Sequence, residues 1–171
     1  LTTTAATVFN GGFASNAAST ITTADNSAQL TLISTDADAN QGPVFVLDRQ
    51  SANPADGDSI GTINFNGRND AGEAHGYAKI ETRIVDASNA TEDGRLELAT
   101  SLATTEGVSR ILMDGTETVF NDNSKNLDFR IETDAQANAF VLDAADDTLT
   151  ITNVPVEITH GGNGYQLKLT S

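Results

Sequence analysis

Strict period-two alternation, broken at short intervals by Gly, Asn and Asp, limits this chain to β structure. Leu127, Phe129 and Ile131 alternate with Asp128, Arg130 and Glu132. In an extended strand successive side chains point to opposite faces, so this pattern makes one apolar and one wet face. Ala78, Ile80, Thr82 and Ile84 alternate with Tyr77, Lys79, Glu81 and Arg83 in the same way. Leu96 and Leu98 alternate with Arg95 and Glu97, Leu149 and Ile151 with Thr148, Thr150 and Thr152, and Tyr165, Leu167 and Leu169 with Gln166 and Lys168. Further strands are expected near Gln29–Ile33, Val44–Asp48, Ile60–Phe65, Ser109–Met113, Ala139–Asp143 and Pro155–Thr159. Helical periodicity never develops: Thr and Gly interrupt stretches such as ATSLATTEG (99–107) before an apolar stripe forms. The pattern predicts an all-β chain of many short antiparallel strands in a sandwich or barrel-like module. It divides into an N-terminal extended or linking segment (1–28), a β module (29–153) and a C-terminal hairpin or linking segment (154–171).

The central strands admit a register argument from charge. If Tyr77–Val85 pairs with Arg95–Ala99 so that opposed residue numbers sum to 178, Glu81 faces Glu97 and Arg83 faces Arg95. A sum of 176 opposes Glu81 to Arg95 and Lys79 to Glu97, and a sum of 180 opposes Arg83 to Glu97. Directly opposed unlike charges contribute roughly 0.2–1 kcal/mol, so 176 or 180 is predicted. The stretches 66–76 and 86–94 read as exposed loops. Two internal echoes, STDADANQGPVFVLD (34–48) with ETDAQANAFVLD (132–143) and ATVFN (6–10) with ETVFN (117–121), differ in spacing. They suggest two related hairpins, not a regular repeat.

Charge and composition exclude several functions. Lys and Arg number 9 against 24 Asp and Glu, a formal net charge of −15. That balance argues against general nucleic-acid binding and against attachment to an anionic membrane. There is no Cys, so disulfides, thiol nucleophiles and thiolate metal sites are excluded. The opening Leu reads as the mark of a trimmed or processed product.

Candidate chemistry is sparse. Asp36, Asp38 and Asn40 place oxygen-bearing side chains at alternate positions before Gly42, like the first half of an EF-hand loop. The Gly comes one position late and Leu47 stands where the loop's closing Glu belongs. Calcium ligation by these three residues competes with a hairpin loop in which Asp and Asn bond to nearby backbone amides. Asp56 and Asp58, Glu92 and Asp93, and Asp143, Asp146 and Asp147 read as solvated turn residues. His75 and His160 read as exposed loop residues. No nucleophile motif and no phosphate loop is present, so no catalytic residue is assigned and the chain is not expected to be an enzyme.

The stretch SANPADGDSIGTINFNGRNDAGEAHGYAKIETRIVDASNATEDGRLEL (51–98) resembles a segment of virion structural proteins of marine tailed phages, chiefly of the tail-fibre type. The shared pattern is a Pro-Ala-Asp-Gly-Asp turn, an Ile-Gly-x-Ile-x-Phe strand, a Gly-Arg-Asn-Asp loop, and Tyr-Ala-x-Ile before Glu-Asp-Gly. ETVFNDNSKNLDFRIETDAQANAFVLD (117–143) is similar to the stretch C-terminal to that pattern in such proteins. The ending TLTITNVPVEITHGGNGYQLKLTS departs from the Val-Gly-Ile-Gly type common in those fibres. The resemblance implies a homotrimeric, extracellular structural protein of the virion surface, a tail-fibre segment or a capsid decoration. Its partners would be other virion proteins and a host surface glycan, the latter met by loops 66–76 and 86–94 with Tyr77 or Tyr165. The competing class is a bacterial adhesin or filament subunit that donates LTTTAATVF to a neighbour as a strand. A third, a polysaccharide-cleaving virion enzyme, is disfavoured by the few aromatics available to stack on sugars.

Overall fold

The computed structural model describes residue 12 and residues 14–153. The chain divides into two compact units, residues 1–46 and 47–171. All regular structure among the described residues is β, in the second unit. Eight strands form two antiparallel sheets, neither closed into a barrel. The first is a meander in the order β1 (Ser59–Arg68), β2 (Ala74–Asp86), β3 (Asp93–Leu102), β4 (Thr105–Met113) and β5 (Thr118–Phe120). The second joins β6 (Phe129–Ile131), β7 (Phe140–Asp143) and β8 (Thr148–Ile151).

Turn chemistry explains the meander. Between β2 and β3, the Asp86 carboxylate accepts the Ser88 amide at 2.7 Å and the Thr91 hydroxyl at 3.0 Å. Ala90 takes the left-handed conformation there, at φ 74°. Between β4 and β5, Asp114 Oδ1 accepts the amides of Thr116 and Glu117 at 2.8 and 3.0 Å. Both carboxyls are held below the usual carboxylate range, chiefly by these backbone amides. Such local bonding makes short polar side chains favour turns over strand interiors.

The β2–β3 register corrects the charge argument. Glu81 lies opposite Glu97 and Arg83 opposite Arg95, the sum of 178. The like charges are neutralised along and diagonally across the strands instead. Lys79 Nζ lies 2.5 Å from Glu81 Oε2 and 3.9 Å from Glu97, and Arg83 Nε lies 2.7 Å from Glu81 Oε1. Same-face neighbours two residues apart therefore supply the counter-charges that direct opposition was expected to supply. The Asp86 turn and the bulge between Ile84 and Asp86 close the hairpin at this register.

Other expectations shift as well. The loop read over 66–76 shrinks to 69–73, because β1 runs to Arg68 and β2 starts at Ala74. Arg68 Nη1 donates to the Gly72 carbonyl, and the Asn69 carboxamide oxygen accepts the amides of Ala71 and Glu73, which tightens that hairpin. Gln29–Ile33 and Val44–Asp48 are not strands: no neighbouring strand pairs with them among the described residues. The 34–48 echo of 132–143 therefore does not form a related hairpin, whereas β7 lies within 132–143. The alternation at 165–169, Pro155–Thr159, His160 and the N-terminal copy of the ATVFN echo lie outside the described residues.

The core is small. Among the described residues the buried apolar side chains are Ala99, Val108, Leu112 and Ala139. Three of the four belong to β3 and β4, two of the three strands flanked on both sides in the five-stranded sheet. Ser109 is fully buried beside them, and its amide donates to the Asn123 carboxamide oxygen at 2.6 Å.

Candidate assembly surface

The register places one uninterrupted apolar row across the first sheet. Ile63 opposes Ile80, Ile80 opposes Leu98, Leu98 opposes Ile111, and Ile111 opposes Phe120. Directly opposed side chains share a face, so these five stand side by side through all five strands. The flanking rows on that face are Gly61–Thr82–Leu96–Met113–Thr118 and Phe65–Ala78–Thr100–Val108. None of these fourteen side chains is charged. Yet among them only Val108 is buried, while Ile63, Phe65 and Phe120 are 40%, 52% and 49% exposed.

The opposite face carries the ion pairs. Glu81, 6% exposed, is ordered between Lys79 and Arg83, and hydrogen bonding from Lys79 holds its carboxyl below the usual range. Arg83 Nε is close to Glu81 but lacks hydrogen-bond geometry, so that contact is electrostatic. The charges of Lys79, Glu81 and Arg83 on this face are thus met within the chain.

At the end of the sheet where the β1–β2 and β3–β4 turns lie, His75 Nδ1 sits 2.9 Å from Glu106 Oε1, which also accepts the Gly76 amide at 2.8 Å. The His75 and Tyr77 rings meet edge to face at 4.9 Å, and the Tyr77 hydroxyl donates to the Arg68 carbonyl. His75 is thus a half-buried strand residue, not the exposed loop residue expected. The sequence offered no signal for its pairing with Glu106, which lies thirty-one positions away across two strands.

Where the second sheet begins, Phe129 packs against Phe120 at 4.7 Å and Phe140 at 6.0 Å between ring centres. An open groove of about 510 Å³ runs past these rings, with Leu127, Leu142 and Leu149. Of its two acidic members, Asp143 and Asp147, the first is occupied locally, accepting the amides of Ala145 and Asp146.

The calcium candidates lie in the first unit, in an exposed segment. Asp36 accepts the Asp38 amide at 3.4 Å, and Asp38 accepts the Asn40 amide at 2.9 Å and its carboxamide NH2 at 2.7 Å. Asp36 and Asp38 each thus bond to the residue two positions on. The Asn40 amide lowers the Asp38 carboxyl from its ordinary value. Among the described residues, no three His, Asp or Glu side chains gather in a way that would hold a metal ion. Asp56 and Asp58 are used structurally. Asp56 accepts the Ala87 amide at 2.9 Å, and Asp58 lies 3.2 Å from Arg49 and accepts the Ala55 amide.

No family model, curated protein or solved structure matches this chain.

Proposed function

We propose that this chain is a structural subunit of a virion surface, a tail-fibre segment or capsid decoration, that works by assembling with copies of itself. The observation that carries the reading is the Ile63–Ile80–Leu98–Ile111–Phe120 row, left half-exposed where only four apolar residues are buried among the described residues. Extended apolar exposure of this kind marks interaction surfaces. The first unit adds to it: Leu30, Leu32, Ile33, Val44, Phe45 and Val46 are exposed. Packing copies about a three-fold axis would cover such surface in a closed assembly and protect sheet edges. The resemblance of 51–98 and 117–143 to phage fibre proteins supports the virion setting, and the loop at 69–73, or the one at 87–92 at the opposite end of the sheet, would face the host. Host attachment through a surface glycan belongs to the same proposal.

Light scattering of the purified chain tests it. The expected result is a discrete mass at a multiple of three copies. A monomer or a dimer overturns the reading, and open-ended polymers favour the filament subunit. Imaging the parent particle then places the chain on fibre or shell.

A further inference from the structure

β1 is an edge strand whose outer side has no strand partner among the described residues. It is long for an edge, at 10 residues, or about 33 Å. Natural edges are guarded by Lys, Pro, inward charges or bulges against pairing with another chain. This one has no charge and no Pro from Ser59 to Gly67, in a chain of net charge −15. The extra residue that β1 itself carries falls at its start, between Ser59 and Gly61. At the second irregularity, between Phe65 and Asn66, the extra residue is Tyr77 of β2, so β1 runs on without a bulge of its own. The apolar row also ends here, at Ile63 and its exposed same-face neighbour Phe65. Arg49 Nη1 already donates to the Ser59 carbonyl at 2.9 Å and Leu47 covers Gly61, so the open stretch runs from Thr62 to Gly67, and no charged residue stands in it to repel another copy.

We propose that β1 pairs antiparallel with β1 of a second copy, across a two-fold axis at Asn64. An isologous pairing that keeps each face continuous requires opposed residue numbers to sum to an even value. A sum of 126 would set Phe65 of one copy over Gly61 of the other. The space above Gly61 is already taken by Leu47, whose Cβ and Cδ1 lie 2.9 Å from where a Gly61 Cβ would stand. A sum of 130 opposes Phe65 to itself and leaves Ile63 facing Gly67. A sum of 128 instead sets Ile63 against Phe65 of the second copy twice, an aromatic pair with a β-branched partner of the kind that stabilises sheets. Asn64 then faces its own copy on the axis, and Thr62 faces Asn66. The result is a ten-stranded sheet with one continuous apolar face. This contact is separate from any three-fold packing and holds whichever particle the chain serves.

Single cysteines test the register, because the native chain has none. Asn64, Thr62 and Asn66 are exposed, so each tolerates replacement. Across the axis the two copies of position 64 fall within the distance a disulfide spans, whereas the two copies of position 62 stand about 13 Å apart. Under mild oxidation Asn64→Cys is expected to form a covalent dimer that reductant reverses. Thr62→Cys and Asn66→Cys alone are expected to stay uncrosslinked, and an equimolar mixture of those two to give the heterodimer. Crosslinking of Asn64→Cys no greater than that of the two singles, with no heterodimer in the mixture, overturns the pairing. That outcome would also be seen if a neighbour's N-terminal strand occupied the edge. The mass measurement on the native chain stays independent of this result, so failure of the pairing and failure of the virion reading are told apart.

Discussion

Glu81 shows how a single side chain organises a sheet face. It stands opposite a like charge, nearly buried, and is accommodated because Lys79 and Arg83 flank it on its own strand. Its carboxyl is held below the ordinary value of 4.5, so its contribution to stability is fully present above that pH. The contribution is lost as pH falls through the lowered folded value. Asp86 and Asp114, lowered by turn amides, act in the same direction. Replacing Glu81 with Gln leaves two cations short of their acceptor at the most buried ion pair among the described residues, and is expected to cost about 1–3 kcal/mol near neutral pH. Urea unfolding checks both points. The variant should be weaker at pH 7 and should lose less than the native chain between pH 5 and 3. An equal acid loss in both would remove Glu81 from the account.

Among the elements, the second sheet is the most dependent on its neighbour. β6, β7 and β8 have 3, 4 and 4 residues, too few to bury a face of their own. Phe129 links them to the five-stranded sheet through Phe120 and is itself only half-buried. Phe129→Ala is therefore expected to cost about 2–3 kcal/mol, below the figure for a fully buried ring. Hydrogen exchange should show faster opening over 129–151, with protection over 59–113 retained. Uniform loss across both sheets would mean that they unfold as one cooperative unit.

At the scale of the whole molecule, net charge and apolar surface oppose each other. A chain at −15 repels its copies, while the uncharged face of the first sheet favours them. The acidic side chains sit at turns and along the opposite face, so this repulsion acts over distances that salt screens. Raising sodium chloride from about 0.02 M to about 0.5 M shortens the screening length severalfold and is expected to strengthen self-association. Weaker association at high salt would point to ion pairs between copies in place of apolar contact.

Alternation and turn residues alone determined the all-β class, the positions of β1 to β4 and of β6 to β8, and the two faces of the alternating strands. Those properties are local: a side chain's face follows from backbone geometry, and Asp or Asn bonds amides two or three residues away. The same local rules could not tell a strand from a strand-like segment. Gln29–Ile33 and Val44–Asp48 alternate or carry apolar runs as β6 and β7 do, but a strand exists only where a neighbour supplies hydrogen bonds. Nor could they select the register of β2 against β3, since shifts by two residues leave every face unchanged. Tertiary structure decided that through the Asp86 turn, which closes the hairpin where like charges meet and leaves the diagonal neighbours to neutralise them. It also decided that His75 meets Glu106 and that five apolar residues from five strands form one half-exposed row. Each is a matter of which strand lies beside which, and that depends on pairing between residues distant in the chain.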